Sequence, residues 1–119
     1  MTKKYLKLLA LLILLNSCED SPDKKKVTIE NFNEPFTDSL IPLPDKHYAV
    51  FYTKIKGNSN DTIRLNISSD KSQDPNLNYY FTGDFEKEIR LDYYGESNKY
   101  ITLDPYKATE GKVELIYQL

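Results

Sequence analysis

Residues 47–68 read HYAVFYTKIKGNSNDTIRLNIS, and apolar residues alternate with polar ones through most of this stretch. Successive side chains of a β-strand point to opposite faces, so an apolar residue at every second position is typical of a strand with one buried face. The stretch therefore predicts β-structure rather than helix. The positions on its predicted inner face are Ala49, Phe51, Ile55, Ile63, Leu65 and Ile67.

Turn-forming residues interrupt this alternation at Gly57 and in the segment 58–60, so the stretch is predicted to form a hairpin. Pairing Ile55 with Ile63 and Phe51 with Ile67 places the apolar residues on one side, whereas a shift by one residue would expose them. The opposite, outer face then carries Tyr48, Val50, Tyr52, Arg64 and Asn66. A second predicted hairpin turns at Gly83 and Asp84, pairs Tyr79 with Ile89 and Leu77 with Leu91, and directs Tyr80, Glu88, Arg90 and Asp92 outward.

The same pattern continues along the chain and predicts an all-β domain. We expect a single antiparallel β-sandwich of about seven strands, similar to immunoglobulin-like or jelly-roll folds in strand number and length, and the sequence does not separate it from an open barrel. The paired cysteines and the core tryptophan of antibody domains are absent from the sequence. The segment 32–45, with three prolines, is predicted to be an irregular crossover. The predicted strands are 27–32, 47–56, 61–68, 77–82, 86–94, 99–104 and 112–119.

The charge of the chain argues against nucleic-acid binding. Three of the 16 basic residues lie in 1–17 and no acidic residue does, so the rest of the 119-residue chain has 13 basic and 18 acidic residues. A net charge of −5 offers little basic surface to replace the counterions of a phosphate backbone. We therefore expect no nucleic-acid partner.

The N-terminal residues 1–17, MTKKYLKLLALLILLNS, predict a cleaved signal peptide. Lysines come first, an apolar run from Leu8 to Leu15 follows, and the segment ends with the small polar residues Asn16 and Ser17. The apolar run is shorter than the roughly 20 residues that a membrane-spanning helix needs.

The next residue is the only cysteine, and the sequence Leu15-Asn16-Ser17-Cys18 resembles the lipobox of bacterial lipoproteins. Asn16 stands where that family usually has Ala, Ser, Thr or Val. The resemblance implies cleavage between Ser17 and Cys18, a thioether from the Cys18 sulfur to diacylglycerol, and a fatty acyl group such as palmitate on the new amino group. It also implies a lipid anchor at the outer membrane of the cell envelope.

Residues 18–25 are polar and predict a flexible tether, which would leave 26–119 as the folded domain. Fully extended, residues 18–26 would reach about 30 Å. The acidic residues Glu19 and Asp20 resemble surface-export signals of some lipoproteins, and a solvated linker would look the same. Both the periplasmic face and the cell surface therefore stay open as locations.

Residues suited to catalysis or metal binding are sparse, so the sequence predicts no enzyme, no cofactor and no metal. The only histidine is His47, and no nucleophile motif surrounds a serine. Glu86 and Glu88 with Asp92 are the best carboxylates for a glycosidase-like hydrolase, the least favoured function. Oxygen donors in two loops, at Asn58, Asn60 and Asp61 and at Asp70 and Asp74, lack the spacing of a calcium-binding loop.

Nine tyrosines follow residue 17, and two adjacent pairs must each place one ring away from the core. The candidate binding residues are Tyr48, Tyr52, Arg64, Tyr80 and Tyr94. The sequence thus favours a lipid-anchored, non-catalytic domain that binds a protein in or outside the envelope, for example as an immunity or inhibitor lipoprotein. A glycan-binding module, with Tyr48 and Tyr52 stacking on sugars, is the alternative.

Overall fold

The computed structural model describes residues 20–69, 77–93 and 97–119. These residues form six antiparallel β-strands and no α-helix, which confirms the predicted all-β class. None of their elements is a helix of the length and apolarity that a membrane span requires. Ser17, Cys18 and Tyr94, named above as functional candidates, lie outside the described residues. The strands are β1 (Lys24–Ile29), β2 (Phe36–Leu40), β3 (Val50–Ser68), β4 (Asn78–Asp92), β5 (Lys99–Asp104) and β6 (Gly111–Gln118).

The 19-residue strand β3 is the centre of the sheet. Along one edge it pairs with β4 for nearly its whole length, with an irregularity between Ser59 and Ile63. Along the other edge it pairs first with β6 and then with β5. The strands β1 and β2 lie outside β6 and β5, respectively.

The two halves of β3 fold over each other at the Ser59–Ile63 bulge. Tyr117 lies beside Thr53 in the first half, and Asp38 lies in the same row as Ile101 and Ile67 in the second half. The Tyr117 hydroxyl nevertheless donates a hydrogen bond to Asp38 across the domain. The Lys25 ammonium also contacts the Asp38 carboxylate at 3.1 Å, so β1 and β2 come close and the sheet nearly closes into a barrel.

This folding gives the domain two distinct ends. The N-terminal end contains residues 20–24, the connection 41–49 and the C-terminal Leu119, whose amide donates to the Asp23 carbonyl. The bulge end contains the β3 bulge, Gly83 of β4, and the turn 105–108, whose Lys107 amide donates to the Thr62 carbonyl.

The predicted inner face is confirmed from Phe51 to Ile67, but Ala49 is exposed, Asn66 of the predicted outer face is buried, and the predicted hairpins are wrong. The inner-face residues Phe51, Ile55, Ile63, Leu65 and Ile67 are all fully buried. They nevertheless belong to one continuous strand, in which Ile55 pairs with Lys87 and Leu115 instead of Ile63. The two segments predicted as a second hairpin are likewise one strand, β4, which pairs Tyr79 with Leu65 and Ile89 with Thr53.

Two predicted boundaries also need correction. The segment 32–45, expected to be irregular, contains β2, which pairs with β5 as an edge strand of the sheet. The predicted tether 18–25 overlaps the fold, since Lys24 and Lys25 belong to β1 and pair with Gln118 and Tyr117. Asp23 is already buried.

Candidate functional site

The large hydrophobic side chains that remain exposed in the described residues form two groups at opposite ends of the domain. Tyr80 is 55% exposed and Tyr106 is 49% exposed, and both lie toward the bulge end. Ile41, Leu43 and Val50 are 50%, 38% and 42% exposed and lie at the N-terminal end. Each group is a candidate contact surface, because contiguous exposed apolar area often marks an interaction site.

The first group forms a compact surface that we call the tyrosine patch, consisting of Arg64, Tyr80, Tyr106 and Lys107. The Tyr80 and Tyr106 ring centroids are 6.0 Å apart, with an angle of 60° between the rings. The Arg64 guanidinium carbon lies 5.3 Å from the Tyr106 ring centroid, and the Lys107 nitrogen lies 5.4 Å from it. Both distances are within the range of cation–π attraction.

The backbone at Tyr106 has a conformation that is unfavourable for tyrosine. Its φ is 56°, in the left-handed region where a Cβ crowds the following carbonyl. A hydrogen bond from the Ala108 amide to the Pro105 carbonyl closes the turn, and the Lys107 amide fixes the turn to β3 through Thr62. Such backbone strain costs on the order of 1–2 kcal/mol and persists only where the surroundings enforce it.

The Asp104 carboxylate binds both the backbone of the strained turn and the Arg64 side chain. One oxygen of its carboxylate accepts from the Tyr106 amide at 2.9 Å, and the other accepts from Arg64 at 2.7 Å. Arg64 lies between Tyr80 on β4 and Asp104 on β5, directly opposite each of them. The neighbouring strands therefore position the Arg64 side chain, so little of its conformational freedom is left to lose on binding.

The structure brings together two of the five predicted binding residues, Arg64 and Tyr80. Tyr52 lies on the other half of β3, opposite Gln118 at the N-terminal end. Its ring lies 5.1 Å from the Arg90 guanidinium, and its hydroxyl donates to Glu88 at 3.2 Å. Tyr52 thus belongs to a separate surface.

Tyr48 was expected on the outer face, and this orientation is wrong. Its half-buried ring packs against the core and meets Tyr93 edge-on at 6.0 Å. Its hydroxyl donates to the Asp23 carboxylate at 2.8 Å and accepts from the Leu43 amide at 2.9 Å. The alternation of the strand predicted an outward Tyr48, but the buried Asp23 gives its hydroxyl a partner inside the protein.

Asp23 is the centre of this network. The Lys46 ammonium, at 2.8 Å, and the Ser21 hydroxyl donate to its carboxylate. The hydrogen bonds from Lys46, Ser21 and Tyr48 lower the pKa of the Asp23 carboxyl from 3.8 to about 2, although burial acts in the opposite direction. A carboxyl with a lowered pKa in the folded state stabilises the fold above its unfolded-state pKa and stops doing so as the pH falls through its folded-state value.

We predict that Asp23→Asn weakens the fold at neutral pH by about 1–2 kcal/mol, because a charge-assisted network is lost. We also predict that the stability of the variant depends less on pH between about 4 and 2 than that of the parent protein. Urea unfolding at a series of pH values measures both effects. Asp45→Asn, which removes an exposed carboxylate from the same connection, is the matched control, and an equal effect of the two substitutions would contradict the prediction.

The carboxylates proposed for hydrolysis are engaged in surface contacts. Glu86 contacts Lys54 at 3.2 Å, and Glu88 accepts from Tyr52 and contacts Arg90 at 3.4 Å. Glu86 also lines an open groove of about 560 Å³ on the outer face near the bulge end. Acidic and basic side chains alternate in this groove, whose lining is Lys56, Gly57, Asn58, Asp84, Phe85, Glu86, Lys112 and Glu114.

The residues considered for metal binding do not assemble in the described part of the chain, where no three His, Cys, Asp or Glu side chains are placed to hold an ion. Asn60 instead fixes the loop at the bulge end, since its amide group bonds with Thr109 and Glu110. The Asp61 carboxylate accepts from the Thr62 amide. Asp70 and Asp74 lie outside the described residues.

Tyr106 completes the patch and was not among the binding residues predicted from the sequence. The dipeptide Asp104-Pro105 signals a turn directly before it, and a tyrosine in a turn is a candidate for exposure. Its contact with Tyr80 joins two distant segments and has no local signal. The positive φ likewise depends on Asp104 and Thr62 rather than on Tyr106 itself.

No protein-family model and no curated protein matches the sequence. Solved structures with a similar backbone include a family GH115 4-O-methyl-α-glucuronidase, with 14% identity, a TM-score of 0.46 and coverage of 78% of this chain but only 14% of the glucuronidase. A periplasmic inhibitor of g-type lysozyme from Aeromonas hydrophila has 8% identity and a TM-score of 0.41, with 80% of this chain and 82% of the inhibitor covered. A CBM36-1 domain of a xylanase from the hindgut metagenome of Trinervitermes trinervoides has 14% identity and a TM-score of 0.37, with 80% and 68% covered. At these values the comparisons assign neither a partner nor a substrate.

Proposed function

We propose that this chain is a lipid-anchored binding protein of the bacterial outer membrane, which contacts another protein through the tyrosine patch and has no catalytic role. The observation that carries the proposal is the exposed Tyr106, held in a strained turn and packed against Tyr80. The turn places Ala108 in the core, whereas the Tyr106 ring is about half exposed and adds little to the core. A contact that uses the ring would explain why a tyrosine is kept at this strained position.

The chemistry of the patch favours a protein partner. Tyrosine and arginine are enriched among the residues that dominate binding energy at protein interfaces. The ring pair at 60° offers two differently directed surfaces, which suits an irregular protein surface better than the flat face of a sugar ring. Arg64 and Lys107 beside the rings favour a partner that presents carboxylates there.

The position of the patch is compatible with an anchor at Cys18. In the β2–β5 pair, Leu40 and Lys99 mark the N-terminal end, whereas Phe36 and Leu103 lie toward the bulge end. The patch follows β5 at Asp104, about 17 Å along the strand from Lys99. An anchor at the N-terminal end would therefore leave the tyrosine patch directed away from the bilayer.

Site-specific photocrosslinking in native envelopes tests the proposal. Benzoylphenylalanine placed at Lys107 of the full-length chain is expected to yield one defined protein adduct, whereas the same probe at exposed Lys87 yields none. Alanine at both Tyr80 and Tyr106 should weaken capture by about 30-fold or more, since truncating a dominant interface residue costs about 2 kcal/mol. Tyr52→Ala is the matched control, because it removes an aromatic residue from the other surface.

Three outcomes would contradict the proposal. Equal adducts from Lys87 and Lys107 would mean that capture is unspecific. Unchanged capture after the double substitution would remove the patch from the interface. Binding of defined oligosaccharides that depends on Tyr52 would favour the glycan-binding alternative.

A further inference from the structure

The chain is fixed to the domain from Asp20 onward, two residues after Cys18. Ser21 and Lys24 exchange backbone hydrogen bonds of 2.8 and 3.2 Å, and the Asp20 carboxylate accepts from the Lys26 amide. Asp23 is buried in the network described above. Of the tether expected over 18–25, residues 20–25 therefore take part in contacts of the domain.

The covalent geometry then limits how far the domain can stand from an anchor at Cys18. Consecutive Cα atoms are 3.8 Å apart, so Cys18 is at most about 8 Å from Asp20 and about 15 Å from Pro22. This span is half of the 30 Å expected for a free tether. A lipid attached to Cys18 would therefore keep the N-terminal end of the domain close to the headgroups.

The second group of exposed hydrophobic residues lies at this same end. The Ile41 amide donates to the Pro22 carbonyl at 2.9 Å, so the connection 41–49 is directly attached to the residues that follow Cys18. Ile41, Leu43 and Val50 are all exposed, and Pro42 and Pro44 restrict the backbone between them. We call the segment 41–50 the apolar edge.

We propose that the apolar edge rests on the lipid surface when the protein is anchored through Cys18. This inference rests on the lipid anchor of the proposed function and adds the orientation of the domain. The short distance between Cys18 and the domain would bring the bilayer, rather than another partner, to this surface. Exposed Lys24 and Lys26 can approach anionic headgroups, while the acidic Asp20 and Asp45 in this region limit the net positive charge.

Depth-dependent quenching on the full-length lipoprotein tests this orientation. The protein is reconstituted into vesicles of phosphatidylethanolamine and phosphatidylglycerol that contain spin-labelled lipid. Ile41→Cys, Leu43→Cys and, as the distal control, Thr109→Cys each carry the same fluorophore, since a thioether at Cys18 leaves the introduced thiol as the reactive one. Incorporation of labelled fatty acid is measured on the same samples.

We expect quenching at positions 41 and 43 to exceed that at 109 several-fold. With the fluorophore at Val50→Cys, the double substitution Ile41→Asp and Leu43→Asp should remove most of the quenching, because charged side chains leave the acyl region. Circular dichroism checks that each variant is folded.

The outcomes separate the two proposals. If fatty acid is incorporated but quenching at 41 and 43 is no stronger than at 109, the orientation is wrong and the anchor stands. If quenching at Val50→Cys survives the double substitution, the apolar side chains do not make the contact, and the inference is again overturned. If no fatty acid is incorporated, the lipid anchor fails, and the inference fails with it.

Discussion

Gly57→Ala is expected to lower the free energy of unfolding by about 3 kcal/mol or more, because it overpacks a contact between two backbones. A Cβ atom at Gly57 would lie 2.0 Å from the backbone oxygen of Lys112 and 3.0 Å from the Cα atom of Val113. Neither atom can rotate away, so β3 and β6 would have to separate where they pair. Urea unfolding followed by far-ultraviolet circular dichroism measures the loss as a shift of the midpoint.

Gly83→Ala is the matched control for this prediction. Its Cβ would meet no atom within 4 Å, but its φ of +69° is unfavourable for alanine. We expect a smaller loss of about 1 kcal/mol from the backbone conformation alone. If Gly83→Ala destabilised the protein as much as Gly57→Ala, the result would contradict the close approach of β3 and β6 as the cause of the loss.

Alternation in the sequence predicted which residues face the core but not which strands pair with each other. Phe51, Ile55, Ile63 and Leu65 all occupy odd positions, so the apolar pattern stays in phase across the supposed turn. The face of each residue within the strand depends on this local alternation, so the buried side of Phe51, Ile55, Ile63 and Leu65 was predicted correctly. Pairing depends on which strands lie alongside, and β4, β5 and β6 all compete for the edges of β3.

The residues taken for turn formers have other roles in the structure. Gly57 allows the backbones of β3 and β6 to approach closely, and Asn60 binds the loop at residues 109 and 110. Gly83 adopts its positive φ within β4, opposite Ser59, where β3 bulges. Turn composition therefore marked the positions where the sheet bends, and the sequence could not distinguish a bend from a reversal of the chain.

The candidate site was predictable where it depended on alternation within a single strand and not where it depended on distant partners. Arg64 and Tyr80 were placed outward by alternation, and the structure pairs them directly. The prediction of an outward Tyr48 was wrong because Asp23, 25 residues earlier in the chain, binds its hydroxyl. Tyr106 joins the patch through Asp104 and Tyr80, and no property of its own segment indicated those contacts.

The proposed lipid anchor makes the largest functional prediction, namely that Cys18→Ser releases the protein from membranes. Each buried methylene of an acyl chain contributes about 0.8 kcal/mol, so two long chains contribute on the order of 20 kcal/mol. The contacts of the apolar edge involve only three exposed side chains and cannot replace that amount. We expect the variant to move from the detergent phase to the aqueous phase on phase separation and to incorporate no labelled fatty acid.

Asn16→Ala is the matched control, because it keeps the sulfur and restores a residue that the lipobox family commonly has before its small residue. It should stay in the detergent phase and incorporate at least as much fatty acid as the parent protein. A Cys18→Ser protein that stayed in the membrane fraction would show that retention does not depend on the thioether. The patch could still bind a partner in that case, because the contacts of Tyr80 and Tyr106 lie at the bulge end and none of them involves the N-terminal segment.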